Sequence, residues 1–271
     1  MTSPSLLFRR CLNYTYRMSE LRDPRELSLD EIEAIEKQSL RWLFRAGCDF
    51  GDEARQIFEQ SSDEVKDIAE DITREMLDRL GGYHVHRRIL GNVDYRKARY
   101  VILPDYSIRQ ALFVDSKAEK TSRVARLQTS QLSIEVRQRR AGQEICEQGK
   151  IPSISSYDGV RFLTTILLAH YEYQDIDGQH ILRHITLAAI PNGLLQERYN
   201  PTVDDTIWRA GPNAPTRGEV FRVRLSFPAL MAKAPWRVQK IVYRENDAIE
   251  AYWSDSVREV EEIGGDEDGN V

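Results

Sequence analysis

Two long apolar runs, Val160 to Tyr173 and Ile181 to Ile190, stand either side of Asp175-Ile176-Asp177-Gly178. Apolar, β-branched segments joined by a short polar stretch with glycine are the signature of a β-hairpin. The most apolar part, Phe162 to Ala169, is followed by charged and polar residues. It is far shorter than the roughly 20 residues a helix needs to span a bilayer. The second half of the chain is therefore expected to build a sheet, not a membrane segment.

The first half has a different period. Ser28-Leu29-Asp30-Glu31 has the form of a capping box, and the helix it opens is expected to run to about Ala46 and stop at Gly47. A second helix is expected over Asp52 to Gln60. A third is expected after a further capping box, Ser61-Ser62-Asp63-Glu64. Its apolar positions, Val65, Ile68, Ala69, Ile72, Met76 and Leu80, share one helical face, and Gly81-Gly82 should end it.

Beyond that, Tyr83 to Leu103 predicts two strands joined at Leu90-Gly91-Asn92, and Ser107 to Ala118 predicts the next strand. Thr121 to Gln131 is expected as a short helix. Residues 133–152 have no single pattern, with a turn near Ala141-Gly142. After the hairpin come a loop from Asn200 to Gly218, a strand from Glu219 to Phe227, and a helix near Ala229 to Ala234. Helices followed by mixed strands predict a single α/β (α+β) domain over 18–254. Residues 1–17 are expected as a flexible extension and 255–271 as an acidic tail with 7 acids and one arginine.

With 41% hydrophobic and 30% charged residues, the 271-residue chain has the composition of a globular protein. Arg9 and Arg10 follow a patch too short and too poorly ended for a secretory signal. Three widely spaced cysteines, Cys11, Cys48 and Cys146, argue against a disulfide framework and a cysteine zinc site, which makes a reducing cytoplasm the simplest compartment. Net charge is −5, but it is segregated. Ser19 to Leu80 holds 18 acidic and 9 basic residues, whereas Arg87 to Arg140 holds 13 basic and 5 acidic ones. The basic stretch is where a polyanion could be held.

That stretch also contains the strongest chemical motif. In Ala111-Leu112-Phe113-Val114-Asp115-Ser116-Lys117-Ala118 an apolar strand ends in an acid, a spacer and a base. Side chains alternate along a strand, so Asp115 and Lys117 point to one side. Asp94, in Gly91-Asn92-Val93-Asp94-Tyr95, falls on another expected strand. Two carboxylates converging from neighbouring strands make a hard oxygen site suited to Mg²⁺. The competing reading of Asp115 and Lys117 is an ion pair at a strand end. His84 and His86 alternate in the same region and are explained by strand geometry without a metal. Trp42, Trp208, Trp236 and Trp253 fit core or interface positions.

The chain resembles the SfiI family of restriction endonucleases, type IIF enzymes of the PD-(D/E)xK nuclease fold. The resemblance is carried by Arg25-Glu26-Leu27-Ser28-Leu29-Asp30-Glu31, Ala69-Glu70-Asp71-Ile72-Thr73, Val93-Asp94-Tyr95 and Val114-Asp115-Ser116-Lys117-Ala118. Further along come Ser130-Gln131-Leu132, Gln196-Glu197-Arg198-Tyr199-Asn200-Pro201, Arg217-Gly218-Glu219-Val220 and Pro235-Trp236-Arg237, in order over about 25–243. It implies a central mixed sheet flanked by helices and a homotetramer engaging two copies of double-stranded DNA. It further implies Mg²⁺-dependent cutting at an interrupted palindrome of the GGCC-N5-GGCC type, with 5′-phosphate and 3′-hydroxyl ends.

By that resemblance Asp94 and Asp115 hold the metal, Ser116 offers only its backbone carbonyl, and Lys117 orients or helps deprotonate the attacking water. Glu70 or Asp71 could approach as an outer acid, or be solvent-exposed helix acids. For DNA, Val220-Phe221-Arg222-Val223-Arg224-Leu225 alternates, placing Arg222 and Arg224 on one face. Arginine is the usual bidentate reader of guanine. Arg217 could read a base or clamp phosphate. Lys120, Arg123, Arg126 and Gln131 are expected as contacts that position the duplex rather than specify its sequence. The competing functions are a structure-specific or repair nuclease of the same fold and a DNA-binding protein without catalysis. The complete Asp94, Asp115 and Lys117 set speaks against the last.

Overall fold

The computed structural model describes residues 21–61, 64–80, 87–90, 97–120, 123–140, 142–157, 159–210, 223–244 and 248–255. Three helices come first: α1 (Leu29–Asp49), α2 (Gly51–Gln60) and α3 (Val65–Asp78). The Ser28 box forms as expected. The Ser28 hydroxyl accepts from the Glu31 amide at 3.2 Å, and Glu31 Oε2 accepts from the Ser28 amide at 2.8 Å. α1 does not stop at Gly47 but continues to Asp49. A Cβ on Gly47 would sit 2.8 Å from Ile241 Cδ1 and 2.9 Å from Met76 Cε. The glycine is there for close packing inside the helix, not to end it. α3 begins after Glu64 without a side-chain cap, and Ser62, Asp63 and Gly81-Gly82 lie outside the described residues.

The main sheet runs β1 (Arg87–Leu90), β2 (Lys97–Leu103), β3 (Ile108–Glu119), β8 (Val160–Ile176), β9 (Gln179–Ile190), β11 (Val238–Tyr243), β12 (Ile249–Ala251), with β7 (Ile154–Tyr157) paired to the start of β8. The β3–β8 pair is parallel and the other pairs are antiparallel, so the sheet is mixed. The β8–β9 hairpin turns on Asp177 (φ 51°) and Gly178 (φ 83°). Two left-handed central residues match the right-handed twist of the strands they join.

One departure from expectation matters for function. The described part of the stretch expected as a helix over Thr121 to Gln131, residues 123–131, is not a helix. It is the strand β4 (Val124–Leu127) followed by a 3-10 turn, Thr129–Gln131. Ala125 and Leu127 are buried while Arg126 between them is exposed, the two-residue period of a strand. β4 pairs antiparallel with β10 (Val223–Ser226), forming a separate two-stranded ribbon. A single turn, α4 (Gln196–Tyr199), follows β9, and β10 gives way to α5 (Phe227–Lys233) already at Phe227, where the Ser226 hydroxyl accepts from the Ala229 amide. The ambiguous stretch after the turn is the hairpin β5 (Val136–Arg140) and β6 (Gln143–Glu147). Among the described residues no helix is long and apolar enough to cross a membrane.

Register divides the two faces of β3. Gln110 and Ser116 face the helices: Gln110 donates to Ser39 of α1 at 2.7 Å, and Ser116 donates to Thr73 of α3 at 2.9 Å. Ile35, Leu40, Leu43 and Ile72 are fully buried in this layer, each worth about 1.5–3 kcal/mol of removed apolar surface. Residues of the other parity, including Asp115 and Lys117, face the layer made by β4, β10, α5 and the 129–131 turn.

Candidate active site and candidate nucleic-acid interface

Asp115 and Lys117 lie near the C-terminal end of β3 and point the same way, as strand alternation requires. Lys117 Nζ is 2.8 Å from Asp115 Oδ2, and both side chains are about a quarter exposed. The other carboxylate oxygen, Oδ1, accepts from Gln131 Nε2 at 2.6 Å. The Ser116 side chain points to the opposite face, where its hydroxyl donates to Thr73 of α3, which in turn meets the buried Tyr171 hydroxyl at 2.8 Å. Burial pushes that phenol well above its ordinary pKa.

Asp94, Arg217 and Arg222 lie outside the described residues, as do His84 and His86. Glu70 and Asp71 are on α3, which packs on the helix side of β3. Both are exposed and pair with bases of their own helix, Lys66 and Arg74. That arrangement is the solvent-exposed alternative raised for them.

Of the remaining expected DNA contacts, Arg123, Arg126 and Arg224 belong to the β4–β10 ribbon, whereas Lys120 lies by Tyr173, whose ring packs on Phe58 of α2 on the helix side of the sheet. Arg126 faces Arg224 in direct register across the β4–β10 ribbon, and its Nη1 is 3.6 Å from Glu119. Arg123 is exposed at the entry to β4, with its carbonyl accepting from the Phe227 amide. Lys120 pairs with Asp175 and lies 5.9 Å from the Tyr173 ring centre; the Asp175 bond raises the lysine pKa and lowers the aspartate's.

A polar row beside Lys117 escaped the sequence reading. Lys117 pairs with His170 of β8, His170 with Thr186 of β9, and Thr186 with Lys240 of β11, so all four share one face. His170 is buried, 3.3 Å from Glu119 and edge-on to Phe227 at 5.5 Å. Burial lowers the Lys240 pKa, partly opposed by Glu172. No local signal marks these residues, because two of them sit inside apolar runs and their alignment exists only through strand register.

A divalent cation fits the chemistry of the described donors. Asp115 is a hard oxygen ligand, anchored on one oxygen and beside a positive charge on the other. No group of three His, Cys, Asp or Glu gathers among the described residues, and Mg²⁺ needs only one or two carboxylates, the rest of its shell being water and substrate oxygens.

The family model of the type II restriction enzyme SfiI matches residues 31–241. The chain is 37% identical over 249 residues to the type II restriction enzyme SfiI of Streptomyces fimbriatus, covering 86% of this chain and 93% of that protein. It is similar to the crystal structure of tetrameric restriction endonuclease SfiI bound to cognate DNA, with TM-score 0.76 and 34% identity over 88% of this chain and 94% of that one. It is also similar in fold to the restriction endonuclease BglI bound to its DNA recognition sequence, with TM-score 0.63 and 19% identity over 78% of this chain and 90% of that one. A mixed sheet carrying Asp115-Ser116-Lys117, matched along most of its length by these proteins, places the chain in the SfiI family of type II restriction enzymes.

Proposed function

We propose that this protein is a metal-dependent, site-specific endonuclease that hydrolyses double-stranded DNA in the cytoplasm of a prokaryotic cell. The single observation that carries the reading is the Asp115–Lys117 pair at the end of β3, in a chain of this family. Asp115, with Asp94, holds Mg²⁺. When bound, Mg²⁺ supplies charge neutralisation at the phosphate and lowers the pKa of a water. Lys117 positions the attacking water and offsets negative charge as it builds on the phosphate oxygens. Ser116 contributes its backbone carbonyl only.

The β4–β10 ribbon reads the DNA. Two arginines directly opposed on neighbouring strands concentrate positive charge, and Glu119, beside Arg126, offsets only part of it. A two-stranded ribbon fits the major groove, where guanine O6 and N7 accept two bonds from one guanidinium. Arg224, together with Arg222 two residues upstream in the alternating sequence, suits a G·C half-site. Arg217, Arg123 and Lys120 steady the backbone. The resemblance to a tetrameric, DNA-bound relative supports a homotetramer; two DNA copies per tetramer and a word of the GGCC-N5-GGCC type are what the sequence resemblance implies.

Digestion of long duplex DNA tests the reading. Discrete fragments with Mg²⁺, none with Ca²⁺ or chelator, and 5′-phosphate ends at a repeated G·C word are expected. A smear or cutting confined to branched DNA would replace it with a structure-specific nuclease, and binding without cleavage would replace it with a DNA-binding protein.

A further inference from the structure

We propose that Gln131 is the positioning residue of the metal-binding carboxylate, and that its amide sets how tightly Asp115 holds the divalent cation. The inference rests on the metal role of Asp115 given above.

The side-chain amide of Gln131 is committed at both ends. Its Oε1 accepts from the Gln128 backbone amide at 2.8 Å. That bond fixes which end of the amide is which, since only oxygen can accept there, and it leaves the NH₂ facing Asp115 Oδ1 at 2.6 Å. The turn that carries Gln131 is itself clamped. Lys150 donates its amide to the Thr129 carbonyl at 2.9 Å, and Ile151 donates to the Leu132 carbonyl at 2.9 Å. Leu132 and Ile134, just beyond the turn, are fully buried. The donor is thus presented by a fixed backbone, not by a mobile surface chain.

The consequence for Asp115 is directional. With Oδ1 held by a neutral donor, the carboxylate cannot rotate freely, and Oδ2 is the oxygen turned toward Lys117. A ligand oxygen held in place before the cation arrives loses less freedom on binding, which is why the partners of metal-ligating groups affect metal affinity by about 10–100-fold. The amide carries no charge, so it orients the carboxylate without competing with the cation as a second lysine would. This gives Gln131 a task other than touching the duplex.

Three measurements on the full chain separate the possibilities: Ca²⁺ binding by titration calorimetry, cleavage of long duplex DNA across a Mg²⁺ series, and DNA affinity in chelator. In Gln131→Met, which keeps the length and removes the donor, the Ca²⁺ and Mg²⁺ midpoints are expected to rise about tenfold or more, with metal-free DNA affinity unchanged. Gln131→Asn keeps a neutral amide but shortens the side chain and so withdraws the donor, which tests the donor where Met disturbs folding; its midpoints are expected to rise as well. Unmoved metal midpoints in the folded variants overturn the proposal, and a loss confined to metal-free DNA affinity makes Gln131 a DNA contact instead. Asp115→Asn is the parallel control. If it leaves Ca²⁺ binding and cleavage intact, the metal role of Asp115 itself fails, an outcome distinct from failure of Gln131 alone.

Discussion

Arg237 lies wholly buried with its Nη2 2.7 Å from Glu36 Oε2, itself wholly buried on α1. Glu36 Oε1 accepts from the Asn192 amide at 2.7 Å, and the guanidinium lies 4.0 Å from the Tyr199 ring centre and 4.4 Å from that of Trp236. The pair joins α1 to the end of β9 and to the Pro235–Arg237 turn, far along the chain. Removing one partner leaves a buried charge uncompensated. Arg237→Met is expected to cost about 3–5 kcal/mol of stability, with a double Glu36→Gln, Arg237→Met change costing less than the single one. Denaturant unfolding of both single changes and the double checks this, and a double loss equal to the sum of the two single losses would mean the pair is not coupled.

Asp115→Ala is expected to abolish cutting while leaving the melting temperature close to that of the parent, because its side chain is part-exposed and outside the core. Lys117→Ala should lower the cleavage rate more than DNA affinity. Single-turnover cleavage and filter binding in chelator measure the two separately; retained turnover in Asp115→Ala, or a pure affinity loss in Lys117→Ala, contradicts the assigned roles.

Arg224→Ala is expected to relax discrimination between the cognate word and single-base variants by about 1–3 kcal/mol per lost guanine contact. Arg126→Ala, one strand over, should weaken binding to all sequences and flatten the salt dependence. Affinities for cognate and altered duplexes over a salt series decide between these outcomes. If both variants lose affinity equally on every sequence, the ribbon touches phosphates only.

Gly149→Ala is expected to destabilise the protein by about 1–3 kcal/mol. The new methyl would lie 2.5 Å from the Leu132 carbonyl oxygen and 2.7 Å from that of Ile134. Both are backbone atoms of the segment following the Gln131 turn, so neither can swing aside. An unchanged thermal midpoint would show that the chain yields there.

The α1 cap predicts an acid response. The Arg22 guanidinium, with the Ser28 amide, lowers the Glu31 pKa from 4.5 to about 2. A carboxyl depressed on folding contributes stability above its unfolded pKa, and that contribution is lost as pH falls from about 4.5 through 2. The shift is screened because the group faces solvent. Carboxyl titration by NMR in the parent and in Arg22→Ala, which removes the largest cause, should show the Glu31 value move upward in the variant.

What could be seen in the sequence was whatever a single element decides for itself. The Ser28 box, the apolar face of α3 and the Asp177-Gly178 turn depend on neighbours within a few residues, and all formed. The shared side of Asp115 and Lys117 is likewise a property of one strand. Gly47 misled because glycine serves both helix ends and close contacts, and only Ile241 and Met76 reveal which. Thr121 to Gln131 misled because a short stretch has little preference of its own, and its partner β10 lies about a hundred residues away.

Relations between distant elements were settled by packing alone. Strand register set Arg126 against Arg224 and aligned Lys117, His170, Thr186 and Lys240. A 3-10 turn clamped by Lys150 and Ile151 brought Gln131 to Asp115. Pro235-Trp236-Arg237 and Gln196-Glu197-Arg198-Tyr199, conspicuous in the chain, meet Glu33 and Glu36 of α1 as a buried structural joint rather than at the candidate active site. Periodicity tells a residue which face of its own element it occupies; which other element covers that face depends on the total burial and hydrogen bonding of the folded chain.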